Sequence, residues 1–495
     1  MVARPVKLSD ATLAQMPAGV LTPSYDRSGL TPGIIHIGLG NFHRAHQAWY
    51  LHRLMQAGKA HDWAILGAGV RPADAAMRER LRAQDCLTTL VELDPAGTTT
   101  EITGAMVDFL SIEEGNAALI DAMSRAEIRI VALTVTEGGY YRTAEGSFDE
   151  DHPDIRHDRD NPDTPRTAFG AMVAALRRRR AAGIGPFTGQ CCDNLQENGD
   201  VLRQTVVGLA ALSDPDLARW IAETATFPNA MVDCIVPATG PGERAHVERL
   251  GIGDSAPVTH ENFRQWVIED RFCAGRPPWE EAGATLTDDV HSYETMKIRM
   301  LNAGHQMLAN PGELLGVPTI AACMADADIA AFFQKTQAEE VAPHVAPVPE
   351  MGPLDYLGLI TRRFSNDKIH DTTRRVAFDG SARHPGFLLP ILRDALAAGG
   401  AIDGLALGEA LWARMCAGTR EDGSTIAPND PHWSDLQAAA ERARTAPRHW
   451  ISQRGLYGHL GEDPRFSAAF CRWLSVIWET GSRDALRAFA TGRST

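Results

Sequence analysis

The sequence predicts an α/β domain built on a mainly parallel sheet, residues 1–285, followed by a mostly α-helical domain, residues 286–495. Three observations predict it. Strand-length apolar runs alternate with helix-length stretches through the first half, the pattern of a sheet wrapped by crossover helices. A glycine turn, Gly38-Leu-Gly40, follows the first of those runs without a gap. After about residue 285 the candidate segments are nearly all helical.

Residues 1–32 are a polar lead-in with Pro and Gly turns. Gly33–Ile37 reads as a short buried strand, and Ala45–Ala57 as the helix beyond the glycine turn. Trp63–Leu66 is a second strand and Pro72–Ala83 a second helix. Cys86–Leu93 and Thr98–Thr103 pair as a hairpin across Pro95-Ala-Gly97. Ala117–Ala126 is helical, and Ile128–Val135 is a buried strand ending in Thr136-Glu-Gly-Gly139. Residues 140–166, rich in Asp, Pro and His, read as a long polar loop or lid. Ala168–Arg180 is a helix whose last turn carries four arginines, where cations suit the helix dipole. Pro186–Cys192 is a strand running into Asp193-Asn-Leu-Gln-Glu-Asn-Gly199, followed by a helix at Val201–Leu212 and a strand at Met231–Val236. The helical half comprises Tyr293–Leu308, Ile320–Gln337, Asp355–Phe364, Pro385–Ala398, Gly404–Ala417, Trp433–Ala446 and Ala468–Trp478.

The glycine turn stands in the strand–turn–helix context that a dinucleotide site requires. Gly38 permits the tight turn, and Gly40 lets the backbone approach a pyrophosphate that the helix amino terminus favours. The usual third glycine position holds His43, so an ordinary strand–turn–helix is the competing reading. The second strand ends Leu66-Gly-Ala-Gly-Val-Arg71, with no carboxylate for the ribose hydroxyls until Asp74. Arg71 can meet a 2′-phosphate or solvent, so NAD and NADP both stay open. His43 and His46 have an i, i+3 spacing that can bind metal, but no clear third ligand accompanies them, and the expectation is no metal.

Lys297, Asn302 and His305 form the second cluster. On an α-helix, at about 100° per residue, Asn302 lies about 140° and His305 about 80° round from the lysine, with Glu294 about 60° away. The cluster therefore offers a base, a neutral amide and an imidazole to one cavity, as hydride removal from a secondary alcohol needs. A snorkelling lysine with a surface histidine is the alternative.

Composition narrows the rest. Apolar content of 44% and charged content of 22% are those of a globular chain long enough for two or three domains. A net charge of −15 argues against nucleic acid or an anionic membrane as partner. No run approaches the ~20 apolar residues of a membrane-spanning helix. The eight cysteines show no paired spacing, and the amino-terminal residues lack an export-type apolar run, so reduced thiols in the cytoplasm are expected. An acidic surface without an obvious exposed apolar helix is compatible with a monomer.

Seven blocks in order resemble the mannitol dehydrogenase family, the polyol-specific long-chain dehydrogenases. They are Gly33–Gln47, Leu133–Tyr140, Asn161–Phe169, Cys192–Leu195, Phe227–Asp233, Lys297–His305, and Arg363–Asn366 with Asp371–Arg375. The resemblance implies a Rossmann-type first domain, a helical second domain, and an active site between them. It implies a metal-independent, nicotinamide-dependent oxidoreductase. Lys297 takes the general-base position, Asn194 and Asn302 the amides on the reacting oxygen, and His305 the substrate-hydroxyl position. Asp233, Arg375 and Arg383 line the polyol site. Cofactor positions fall on Gly38, Gly40, Asn41, Phe42, Arg44, Thr136 and Glu137. Glu294, one helical turn before Lys297, can pass the proton to solvent or form a plain surface i, i+3 pair with the lysine. Two positions depart from the family pattern: Cys234 replaces a basic residue, and Arg383 replaces lysine.

The preferred expectation is oxidation of D-mannitol to D-fructose with NAD. Fructuronate reduction is the rival, because Arg375 and Arg383 can grip a carboxylate; D-arabinitol is a third substrate. A dinucleotide-binding sensor without chemistry comes last, since it has no need of the intact set Lys297, Asn302, His305 and Asn194.

Overall fold

The computed structural model describes residues 4–143 and 146–492, the Glu137 side chain excepted. The chain divides into two compact units, residues 1–291 and 292–495.

In the first unit the strands run β1 (Pro32–Ile37), β2 (Ala64–Ala68), β3 (Thr88–Asp94), β4 (Gly97–Thr103), β5 (Met106–Phe109), β6 (Ile130–Leu133) and β7 (Thr188–Cys191). Five of them form one sheet in the order β5-β2-β1-β6-β7, every pair parallel. Both faces of that sheet are covered, which is why its strands are apolar without alternation. Ile35, Ile37, Leu66, Val131 and Leu133 point into one core; Ile34, Ile65, Ile130 and Ala132 point into the other. Helices α1 (Asn41–Ala45) and α2 (Gln47–Gln56) follow β1, while α3 (Ala168–Ala181) and α4 (Asn198–Ser213) flank β7 in the chain. The sheet order reverses between β1 and β6, and in such sheets the crevice beyond the strand ends at that reversal takes the ligand.

Three details differ from the sequence expectations. The predicted helix 45–57 is two helices broken at His46, whose φ/ψ of −119°/−94° is not helical. Part of the supposed lid is a helix, Pro153–Asp160, with Pro at its first turn. Buried Asp158 at its end accepts from Arg166 N (2.6 Å), Thr167 N (3.0 Å) and Thr167 Oγ1 (2.7 Å), fixing it to the start of α3. The region 215–287, largely unassigned from sequence, adds helices Pro215–Thr224 and Pro241–Arg249 and the strands Val258–Glu261, Gln265–Glu269 and Thr285–Thr287.

The β3–β4 hairpin is tied to α2 through Glu101. Its carboxylate accepts from Trp49 Nε1 (3.0 Å) and Arg53 (2.9 Å), with His52 Nε2 at 3.4 Å. Burial alone raises this carboxyl, but His52, Arg53 and the Trp49 indole outweigh it and hold it at about 2.

The second unit is helical. The helix predicted at Tyr293–Leu308 is longer and changes type twice: Val290–Met296 is α, Lys297–Asn302 is a π turn, and α5 (Ala303–Leu315) is α again. The Ala303 N–H reaches back five residues to the Ile298 carbonyl. Almost every residue of α5 is buried, Pro311 included. It packs on α6 (Asp403–Met415), which packs in turn on α7 (Pro464–Thr480). Two more π turns, Gln337–Val341 and His384–Leu388, pack against Lys297–Asn302. Among the described residues no helix is long and apolar enough to cross a membrane.

The Glu101 tie predicts a pH-dependent stability term. Because its folded value lies below the unfolded one, the contribution is complete above about pH 4.5 and is lost as pH falls toward 2. Glu101→Gln is expected to cost roughly 1–3 kcal/mol at pH 7. In urea denaturation the gap to the parent protein should narrow below pH ~4.5; a gap independent of pH would show that the charge contributes nothing.

Candidate active site

In the first unit, the crevice beyond the parallel strands measures about 380 Å³ and is lined by Gly38, Arg71, Asp74, Thr134, Thr136 and Arg166, among others. Gly38 has φ +93°, and a Cβ there would sit 2.0 Å from the Thr134 carbonyl oxygen, so the turn admits only glycine. Gly40 is different. A Cβ on it would meet no protein atom within 4 Å, so protein packing does not demand its small size. Close approach of a dinucleotide pyrophosphate would demand it, and on this test the turn fits such a group.

The turn is braced from beneath. Arg44 is buried, and its guanidinium faces Gly40 O (3.3 Å), Asn41 Oδ1 (2.7 Å) and the Ala256 carbonyl. Asn41 Nδ2 donates to Pro237 O (3.0 Å) and Thr239 Oγ1 (2.9 Å). Phe42 stacks on His46, with 4.7 Å between ring centroids. Three predicted cofactor residues thus hold the turn in shape through these contacts. His36 bonds Gln47 (2.7 Å) and Thr134 Oγ1 (2.9 Å), and His43 stacks on it at 3.4 Å. Burial pushes His36 down to about 3 and His43 well below its usual range, so neither carries charge under the turn. Among the described residues no cluster of His, Cys, Asp and Glu is arranged to hold a metal.

The loop after β6 carries Thr136, in the left-handed region at φ +73°. Asp193, one residue before Asn194, holds that loop. Its carboxylate accepts from Val135 N (2.9 Å), Thr136 N (3.0 Å) and Tyr140 Oη (2.6 Å). Asp193 stands in the same motif as the predicted Asn194, and its role rests on partners distant in sequence that the motif does not show. The predicted side chain of Glu137 lies outside the described residues. Asp233 is buried at the end of the strand Ala230–Asp233, and Cys234 beyond it is buried too.

Asp74 supplies what the end of β2 lacks. Its side chain folds back over Gly69, where a glycine Cβ would meet it at 2.6 Å, and Arg71 N (3.1 Å) and the exposed Arg71 guanidinium (3.4 Å) bond it. A carboxylate therefore stands at the strand-2 end despite arriving late in sequence.

In the second unit, Glu294, Lys297, Asn302 and His305 lie on one continuous helix. Lys297 and Glu294 are buried, while Asn302 and His305 are half-buried. The π turn revises the wheel drawn from sequence. With i→i+5 bonding, residue 302 comes beneath residue 297 instead of 140° away. His305 stacks on Phe364 at 4.3 Å. Arg375 is exposed and forks onto Asp371 with two bonds of 2.7 Å. Arg383 donates to the Val376 carbonyl (2.6 Å), which places it next to Arg375's segment.

Residues 32–281 match the mannitol dehydrogenase Rossmann domain, and residues 289–478 match the mannitol dehydrogenase C-terminal domain. The chain belongs to the mannitol dehydrogenase family. A family relative, the mannitol 2-dehydrogenase of Cereibacter sphaeroides, is 55% identical over 474 residues, covering 96% of this chain and 99% of its own length. The structure of Pseudomonas fluorescens mannitol 2-dehydrogenase in ternary complex with NAD and D-mannitol is 38% identical, with a TM-score of 0.88 over 98% of this chain and 100% of that one. D-sorbitol dehydrogenase in substrate-free form is 34% identical, with a TM-score of 0.89 over 97% and 100%.

The placement of Asp74 predicts a cofactor preference. A carboxylate at the ribose accepts its hydroxyls and repels a 2′-phosphate. Asp74→Ala is expected to raise affinity for NADPH relative to NADH by about tenfold, the scale of one removed like-charge contact. Fluorescence titration of both reduced cofactors reads that ratio directly; an unchanged ratio removes Asp74 from cofactor selection.

Proposed function

We propose that the chain is an NAD-dependent polyol oxidoreductase that interconverts D-mannitol and D-fructose. The observation that carries this reading is likeness over 98% of the chain to the Pseudomonas fluorescens enzyme, whose structure holds NAD and D-mannitol. Gly38, Gly40, Thr136 and Asp74 would hold the cofactor, with Asn41, Phe42 and Arg44 keeping the turn in shape. When bound, NAD supplies the hydride acceptor.

Lys297 is the general base. A buried ammonium is disfavoured against the neutral amine, and the neutral amine takes the substrate hydroxyl proton. Asn194 and Asn302 donate N–H groups to the developing alkoxide without adding a charge beside the lysine. His305, its ring set by Phe364, holds a neighbouring hydroxyl. Glu294, one turn before the lysine, accepts the proton on its way to solvent. Asp233, Arg375 and Arg383 bind the remaining hydroxyls. The fork between Arg375 and Asp371 occupies a guanidinium that a sugar acid would need, so a hexuronate gains no support.

Lys297→Ala should keep NADH affinity in fluorescence titration and lose at least ~100-fold in turnover. In the parent enzyme kcat/KM for mannitol should rise with pH to a plateau, because a protonated lysine cannot accept; in Lys297→Ala that rise should vanish. Near-parental rates across the pH range would refute the base assignment. NADH oxidation should be fast with fructose and slow with fructuronate, and the opposite order would assign the site to a sugar acid.

A further inference from the structure

Behind Arg383 lies a hydrogen-bonded network that the chemistry above does not use. Asn310, His384, Glu409, Trp450 and Tyr457 are all at most 1% exposed. His384 Nδ1 lies 2.8 Å from Glu409 Oε1, and Asn310 Nδ2 lies 2.9 Å from His384 Nε2. Tyr457 donates to the other Glu409 oxygen (2.7 Å), and Trp450 Nε1 donates to Tyr457 (2.7 Å). The His384 ring lies flat on Trp412, 4.1 Å between centroids and 13° from parallel. Gly380, one turn earlier, packs so close to Trp412 that a Cβ would come within 2.4 Å of its indole nitrogen. The segment Gly380–His384 is therefore clamped on one side by an aromatic plate and held at its end by a carboxylate.

The network reaches the lysine helix by two rungs. Asn310 on α5 bonds His384, and Gln306, one turn before it, donates to the Val376 carbonyl (2.9 Å). That same carbonyl accepts from Arg383. Residues four apart on a helix share a face, so Gln306 and Asn310 together grip the two ends of the segment that carries Arg383. The π turn beginning at His384 also packs on the π turn beginning at Lys297. A buried carboxylate and imidazole are costly unless fully bonded, and an apolar pair would fill this space at less cost.

We infer that the Asn310–His384–Glu409 network is a positioning device that fixes Arg383 relative to the Lys297–His305 helix, setting polyol affinity without touching substrate. The inference rests on the assignment of Arg383 to the polyol site. Once the bonds to His384 are lost, Arg383 can move with the start of its π turn, while Lys297 and the cofactor crevice stay as they were. The effect belongs in polyol KM and not in kcat or NAD affinity.

The test is a double-mutant cycle with His384→Phe, which keeps the stack on Trp412 and removes both hydrogen bonds. Expected are a rise in mannitol KM of roughly fivefold or more, with kcat and the NAD KM within about twofold of the parent enzyme. In an Arg383→Ala background His384→Phe should add nothing. Should His384→Phe fail to fold because it strands the Glu409 carboxylate, His384→Phe/Glu409→Leu removes both partners together and is read the same way. Equal and independent losses in both backgrounds, or a loss shared with kcat and NAD affinity, would make the network a plain stability element and overturn the inference. An Arg383→Ala enzyme with unchanged mannitol kinetics would overturn it differently, by removing Arg383 from the polyol site.

Discussion

The constraint on which the first unit turns is the approach of Gly38 to Thr134. These residues end the two strands on either side of the sheet's reversal, and their backbones come too close for any side chain at position 38. The crevice that opens beyond them can form only because the chain turns there in a conformation L-residues avoid. The surrounding polar groups serve that turn: Thr134 bonds the Gly38 carbonyl, His36 bonds Thr134, and Arg44 and Asn41 hold the next peptide. Burial holds His36 and His43 neutral, and the Arg44 guanidinium beneath the turn has the sign that favours an anion beside the turn's own N–H dipoles.

The second unit solves a different problem. A base that is neutral at working pH must be buried, yet it needs polar neighbours that do not re-charge it. Under the proposed base role, buried Lys297 stands at the start of a π turn with an amide five residues on. The same bonding pattern that widens the helix brings the two side chains onto one face.

Much of this was legible in sequence. The parallel sheet, the hairpin and the helical second half follow from apolar runs and their spacing, since both faces of the sheet need covering and each helix needs a buried stripe. Lys297 and Asn302 were visible as a helical pair whose spacing alone fits a snorkelling lysine and a capped amide, and Asn194 entered through the family resemblance. What escaped was everything that depends on distant partners. Asp74 looked too late in the chain to serve the second strand, because a short 3₁₀ turn folds it back. Nothing in the sequence marks Asp158 or Glu409; tertiary contact alone shows that each is buried and bonded on both oxygens. The π turns left no local mark, because their residues have ordinary helical propensity and the extra residue is set by packing.

Those turns bear on which changes of length the chain can accept. Loops absorb a lost or gained residue because their ends can adjust. A helix holding a π turn is already carrying one residue beyond the α repeat, so losing one there would leave a regular helix that folds well. Lys297 and Asn302, five residues apart across the π turn or four apart without it, share a face in either case. A loss beyond the turn, between Asn302 and His305, has no such slack and would turn His305 by about 100° against Lys297. Length, in this stretch, is as much a part of the active-site specification as residue identity.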